Sequence, residues 1–264
     1  MKTAPTPILI GLLFFVLGSS FFARFQTPAE EKDRMAALEA ALRECRIADI
    51  HKDEPGRTSP WVITFTEWCP VQRALFRYVD RPRPQPMADS YRYDIAAYEL
   101  SKLLGVELIP PVVEREIDGR KGTLQIYLEN CIREKDRKRK KLEPPEARAF
   151  DNAMEELKVF ENLAYDGCYN LDDTYIHMED WRVYRVDFSE AFAPVPELLP
   201  GCSLTACSKK LYRGLSELDE EAARATLGKY LNNEELEACL VRRELILEKL
   251  EALIAEKGAE NVLF

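Results

Sequence analysis

Apolar and polar positions alternate along this chain in a way that divides it into a strand-rich first half and a helical second half. Met35, Leu38, Leu42 and Cys45 fall on one face with charges opposite, which predicts a helix over 30–45. Residues 47–50, 61–66 and 74–79 are short β-branched and aromatic runs and predict strands. Between the first two lies a turn, His51 to Pro60, whose only glycine is Gly56. Residues 81–86, with three prolines, predict a stiff extended loop. Residues 90–104 predict a helix that stops at Gly105, and 112–117 with 123–128 a hairpin turning at Asp118-Gly119.

The second half opens on the basic run 133–141, which predicts a solvated loop; its basic face also suits an anionic membrane surface. A helix is expected from Pro144-Pro145 to about Leu163, then a small hairpin from 174–177 and 182–186. From Ser203 onward the pattern is helical. Leu204, Cys207, Leu211, Leu215 and Leu218 form one stripe, and Asn232 with Glu235 has the spacing of a capping box. Leu236, Leu240, Leu247, Leu250 and Ile254 line a last long helix ending near Gly258.

Residues 8–23 stand apart. They are almost wholly apolar, with Lys2 before and Arg24 after. The stretch is short for a spanning helix of ~20 residues, although flanking residues can extend it. It also suits a signal peptide. Residues 1–28 are therefore expected to be a single-pass membrane anchor or, alternatively, an export signal that is cleaved, with the side faced by the rest left open.

The net charge of -9 over 264 residues disfavours general nucleic-acid binding. Only two histidines are present, so neither a His-based metal enzyme nor a Ser-His-Asp hydrolase is indicated. The seven cysteines show no zinc spacing. Free, partly buried thiols are the plain expectation, with a Cys202–Cys207 bridge as the oxidised alternative.

Three motifs in this order and spacing, Tyr93-Asp-Ile-Ala-Ala-Tyr-Glu-Leu with Val106 to Val113, Gly122-Thr-Leu-Gln, and Val186-Asp-Phe with Ala191-Phe192, resemble the atypical branch of the protein-kinase superfamily. That branch takes in lipid-kinase-like, HipA-type and secretory-pathway kinases, and the chain is most similar to uncharacterised bacterial kinase-like proteins within it. The likeness covers roughly 45–264 and implies an α+β, bilobal kinase-like fold behind the hydrophobic segment. A small antiparallel sheet lobe with its helix would span 29–129 and a helical lobe 130–264.

The resemblance also implies a site for ATP and Mg2+. Arg77 occupies the position of the phosphate-gripping lysine, Asp94 that of its helix acid, and an Arg77–Asp94 ion pair is expected to survive both changes. Gly56 and Thr58 would lie in the phosphate-covering turn, and Glu129 would offer main-chain atoms to adenine. Asp173 and Asp187 fall on the metal positions. Cys168 falls where the family has its catalytic aspartate, and Asp166, two residues earlier, is the substitute base. Two readings stay open: a membrane-tethered pseudokinase that works by binding a protein partner and a nucleotide, and an active atypical kinase acting on a protein or small-molecule hydroxyl. An empty-cleft structural domain is a third.

Overall fold

A computed structural model describes residues 28–264 apart from 53–58 and 86–87. Gly56 and Thr58 thus lie outside the described residues, as does the apolar segment 8–23. Among the described residues no helix is long and apolar enough to cross a membrane.

The chain opens with α1 (Pro28–Glu44), followed by β1 (Ile47–His51), β2 (Trp61–Phe65) and β3 (Arg73–Arg77). A two-residue pair, β4 (Asp80–Arg81) with β5 (Asp89–Ser90), leads into α2 (Tyr91–Leu103), and β6 (Val112–Ile117) and β7 (Arg120–Ile126) follow. Five strands form one antiparallel sheet in the order β1-β2-β3-β7-β6. The crossover from β3 to the edge strand β6 carries the β4–β5 pair and α2, and β7 then returns between them.

Local chemistry explains several of these boundaries. Ser90 caps α2 by accepting from the Arg92 N–H at 3.2 Å, and Gly105, at φ +71°, lets the chain leave the helix. Asp118 and Gly119 both have positive φ, as a tight hairpin with the strands' own twist requires. Gly122 is needed for another reason: a Cβ there would meet the Arg77 carbonyl oxygen at 2.2 Å.

One face of the sheet packs against α1, with Leu42, Ile63, Phe65, Phe76 and Leu124 at its centre. Removing the fully buried Phe76 ring would cost roughly 3–5 kcal/mol. The second core is larger. It gathers α2 together with the helical half of the chain.

That half contains β8 (Cys131–Arg133), α3 (Glu134–Lys140), α4 (Ala147–Ala164), β9 (Thr174–His177), β10 (Val183–Arg185), α5 (Lys209–Glu217), α6 (Glu220–Leu227), α7 (Asn233–Lys257) and α8 (Ala259–Val262). Strands β10-β9-β8 form a three-stranded antiparallel sheet. Asn232 and Glu235 make both hydrogen bonds of the capping box.

Three sequence expectations need correction. The basic run 133–141 is not a loop but the end of β8 and all of α3. Its acids are spaced to pair with its bases: Arg137 binds Glu134 at 2.6 Å, and Arg139 binds Asp136 at 2.8 Å. The Pro-rich loop hides the β4–β5 pair. The cysteines are not all thiols, and Cys202 is not joined to Cys207. Instead Cys45 pairs with Cys69 and Cys168 with Cys202, at Cα–Cα separations of 5.9 and 5.8 Å. Cys131, Cys207 and Cys239 remain free.

Candidate active site

A cleft of ≈ 950 Å³ opens between the five-stranded sheet and the helical half. Leu75 and Arg77 of β3 and Gln125 of β7 form its roof. Tyr127 and Leu128 form its back edge. Asp166, Asn170, Asp173 and Asp187 form its floor.

Arg77 ends β3 with its side chain turned into this space, while its neighbour Phe76 points into the core, as strand alternation requires. Its Nη1 donates to Gln125 Oε1 at 3.3 Å and lies 3.9 Å from Asp94 Oδ2; its Nε lies 3.9 Å from Asp187 Oδ2. Burial works against its charge, but Asp187, Asp94 and Asp173 outweigh that and hold the guanidinium above its ordinary pKa.

Asp94 sits in the first turn of α2 and is 2% exposed. Its Oδ1 accepts from the Phe188 N–H at 2.7 Å, whereas Oδ2 has no hydrogen-bond partner. Burial lifts its carboxyl to about 7 despite Arg77. Helix α2 is thereby tied both to β3 and to the residue that follows Asp187.

Asp187 lies two residues beyond β10 and is left-handed, with φ +61°. Such backbone is uncommon outside glycine and concentrates at functional sites. Ser189 Oγ donates to its Oδ1 at 2.8 Å. Burial opposes its charge, but Arg77 and Ser189 prevail and keep it below the ordinary carboxylate range. Asp173 ends the loop after α4. Asn170 holds it, donating Nδ2 to Oδ2 at 2.7 Å and accepting the Asp173 N–H at 3.2 Å. Burial raises its pKa and the charge of Asp187 adds to that, while Arg185 and Arg77 pull the other way.

The turn after α4 decides which acid faces the cleft. Tyr165 is left-handed (φ +50°), and the Asp166 N–H returns to Glu161 O at 3.0 Å. The chain therefore presents Asp166 to the cleft and carries Cys168 to its disulfide with Cys202. Cys168 is no thiol and does not line the cleft. Asp166 is gripped by Arg185, and burial lifts its carboxyl to about 6, against the pull of Arg185.

Glu129 turns outward, where its two oxygens accept from Arg73 at 2.7 and 2.6 Å. Sequence reasoning missed Arg185 and Glu161, both 0% exposed. The signal was present: in Val183-Tyr-Arg-Val186 strand alternation places Arg185 on the inward side with Val183.

Asp173 and Asp187 suit a hard divalent cation, since both offer carboxylate oxygens at the cleft and both are about one-third exposed. Among the described residues no cluster of three or more such side chains could hold a metal unaided. An ion bound with a nucleotide needs fewer, because phosphates and water complete its shell. The cleft also has the volume of an ordinary small-molecule site.

No protein-family model matches the sequence, and no curated protein sequence matches it. Solved structures do match. A crystal structure of the Golgi casein kinase aligns with TM-score 0.61 and 14% identity over 88% of this chain and 79% of that one. Hydra Fam20 with sugar aligns at TM-score 0.63 and 14% identity, over 90% and 93%. The Helicobacter pylori proinflammatory kinase CtkA aligns at TM-score 0.51 and 7% identity, over 83% and 98%. At these identities the likeness is one of fold, and that fold is kinase-like.

Proposed function

We propose that this protein binds a magnesium–nucleoside triphosphate in the cleft and transfers the terminal phosphoryl group to a protein or small-molecule hydroxyl. The observation that carries this reading is the gathering of Arg77, Asp166, Asp173 and Asp187 around one cleft, with Arg77 bridging Asp94 and Asp187. The Golgi casein kinase has been crystallised with Mn and ADP bound, which supports a divalent ion and nucleotide here.

Asp173 and Asp187 would hold the ion, which would neutralise phosphate charge. Arg77 would contribute positive charge beside the phosphates. Asp166, raised toward neutrality yet largely ionised at pH 7, suits a general base. It would take the acceptor's hydroxyl proton as the acceptor oxygen bonds to the γ-phosphorus. The bond from that phosphorus to the β–γ bridging oxygen breaks, and the nucleoside diphosphate leaves. Cys168, held in its disulfide, supplies no base, and Asp166 rather than Cys168 lines the cleft.

A specific feature still favours the pseudokinase reading. Arg77 stands where a lysine is usual, and Asp94, Gln125 and Asp187 already occupy it, so less of its charge is available to phosphate. Phosphate release from ATP or transfer to a generic acceptor, compared between the native protein and Asp166→Asn, separates the readings. Turnover lost in the variant supports transfer; nucleotide binding without turnover in either favours the binding-only form.

Two disulfides suit an oxidising space. We place the domain outside the cytosol, led there by residues 8–23 acting as an anchor or as a cleaved signal. The narrower likeness to lipid-kinase-like and HipA-type kinases rests on the three sequence motifs alone.

A further inference from the structure

Arg185 has no part in the roles assigned above, yet it is the most heavily engaged side chain beneath the cleft. It is 0% exposed and lies on β10 opposite Thr174 of β9. Its Nη2 donates to Asp166 Oδ2, and its Nη1 to the Val186 carbonyl and, at 3.3 Å, to that of Asp187. Its Nε lies 3.5 Å from Glu161 Oε1, and its Nη1 lies 4.0 Å from Asp173 Oδ2. The Phe188 ring centre lies 5.0 Å from the guanidinium carbon. A lysine has one nitrogen and could not serve these directions together.

We propose that Arg185 is the positioning residue for Asp166, fixing where its carboxylate meets the acceptor hydroxyl. This rests on the reading of Asp166 as the base. The same guanidinium anchors the backbone at Asp187, so it sets the base and the metal-binding segment in one frame. Four charged groups bear on Asp166 or on the arginine that holds it: Arg185 from β10, Glu161 from α4, Asp173 before β9, and Asp187. Of these four only Arg185 is positive; the Gly167 N–H is a second favourable contact, and Arg77 across the cleft pairs with Asp187. Removal of Arg185 leaves a buried carboxylate among like charges, which favours the protonated form.

The test uses the full chain with Arg185→Gln, Arg185→Lys and Asp166→Asn. The Asp166 carboxyl is followed by 13C NMR in a pH titration, identified by its absence in Asp166→Asn. Its midpoint is expected near 6 in the native protein. In Arg185→Gln it should rise by roughly 1 pH unit or more, and in Arg185→Lys by less. Should Arg185→Gln fail to fold, Arg185→Lys decides. In turnover, kcat should fall ~10–100-fold with the nucleotide KM little changed, and the acidic limb of the pH profile should move up with the midpoint. An unmoved midpoint overturns the proposal. So does a loss of nucleotide affinity as large as the loss of kcat, which would place Arg185 at the metal ligands instead. If the midpoint moves while Asp166→Asn keeps full turnover, the link between the two residues stands and the base reading fails.

Discussion

Arg77 Nη1 lies 3.9 Å from Asp94 Oδ2, close enough for strong attraction yet beyond hydrogen-bonding distance. Both side chains are nearly excluded from solvent, so neither is compensated by water when the other is removed. Arg77→Ala should cost on the order of 3 kcal/mol, somewhat softened because Asp94 can take up a proton. In a double-mutant cycle with Asp94→Ala, thermal melts should show losses that are clearly non-additive. Additive losses would mean that the two charges do not support each other.

The disulfides make a sharp chemical prediction. Alkylation of the denatured, unreduced protein should label Cys131, Cys207 and Cys239 only, and reduction should expose all seven cysteines. Peptide mapping should recover Cys45–Cys69 and Cys168–Cys202, which close loops of 24 and 34 residues in sequence separation. Each should stabilise the fold by roughly 3–4 kcal/mol, so reductant should lower the melting temperature. Recovery of a Cys202–Cys207 peptide would contradict the pairing.

Stability should depend on pH through Glu161. Burial lifts its carboxyl to about 7, with Arg185 opposing, whereas the ordinary value is 4.5. Between those values the folded state binds more protons than the unfolded one. Its contribution is therefore fully present below about 4.5 and is lost as pH rises through about 7. Glu161→Gln cannot ionise and escapes this loss. Relative to the native protein, the variant should gain on the order of 2–3 kcal/mol between pH 5 and pH 8. A constant difference across that range would show that Glu161 does not titrate there.

Gly122→Ala tests the roof of the cleft. The added methyl would strike the Arg77 carbonyl and the Phe76 ring, forcing β3 and β7 apart where Arg77 is held. Expected is a loss of several kcal/mol together with weaker nucleotide binding, read by thermal melt and titration. Gly119→Ala touches nothing within 4 Å, and its cost should come from its φ of +72° alone.

How much of this was legible in the sequence depended on distance along the chain. The Asp118-Gly119 turn, the Ser90 and Gly105 ends of α2 and the Asn232–Glu235 box are local devices, and each lies where the residues implied. The sheet was legible from its strand runs, apart from the β4–β5 pair masked by prolines. Features made by chain meeting chain were not. Two disulfides join cysteines far apart in sequence, and no spacing rule could have paired them. The resemblance puts Cys168 at the catalytic position. Left-handed turns at Tyr165 and Tyr169 instead bring Asp166 to the cleft and send Cys168 away. Arg185 was passed over because its partners arrive from α4, from the loop after it and from beyond β10.

The central claim is that Asp173 and Asp187 hold a divalent ion with a nucleotide at the floor of the cleft. Calorimetric titration of ATP into the full-length protein, with and without Mg2+, tests it most directly. The account predicts one-site binding that requires the ion, is abolished in Asp187→Ala and is weakened in Asp173→Ala. Absence of binding, or binding equally strong without Mg2+ and in Asp187→Ala, would contradict it.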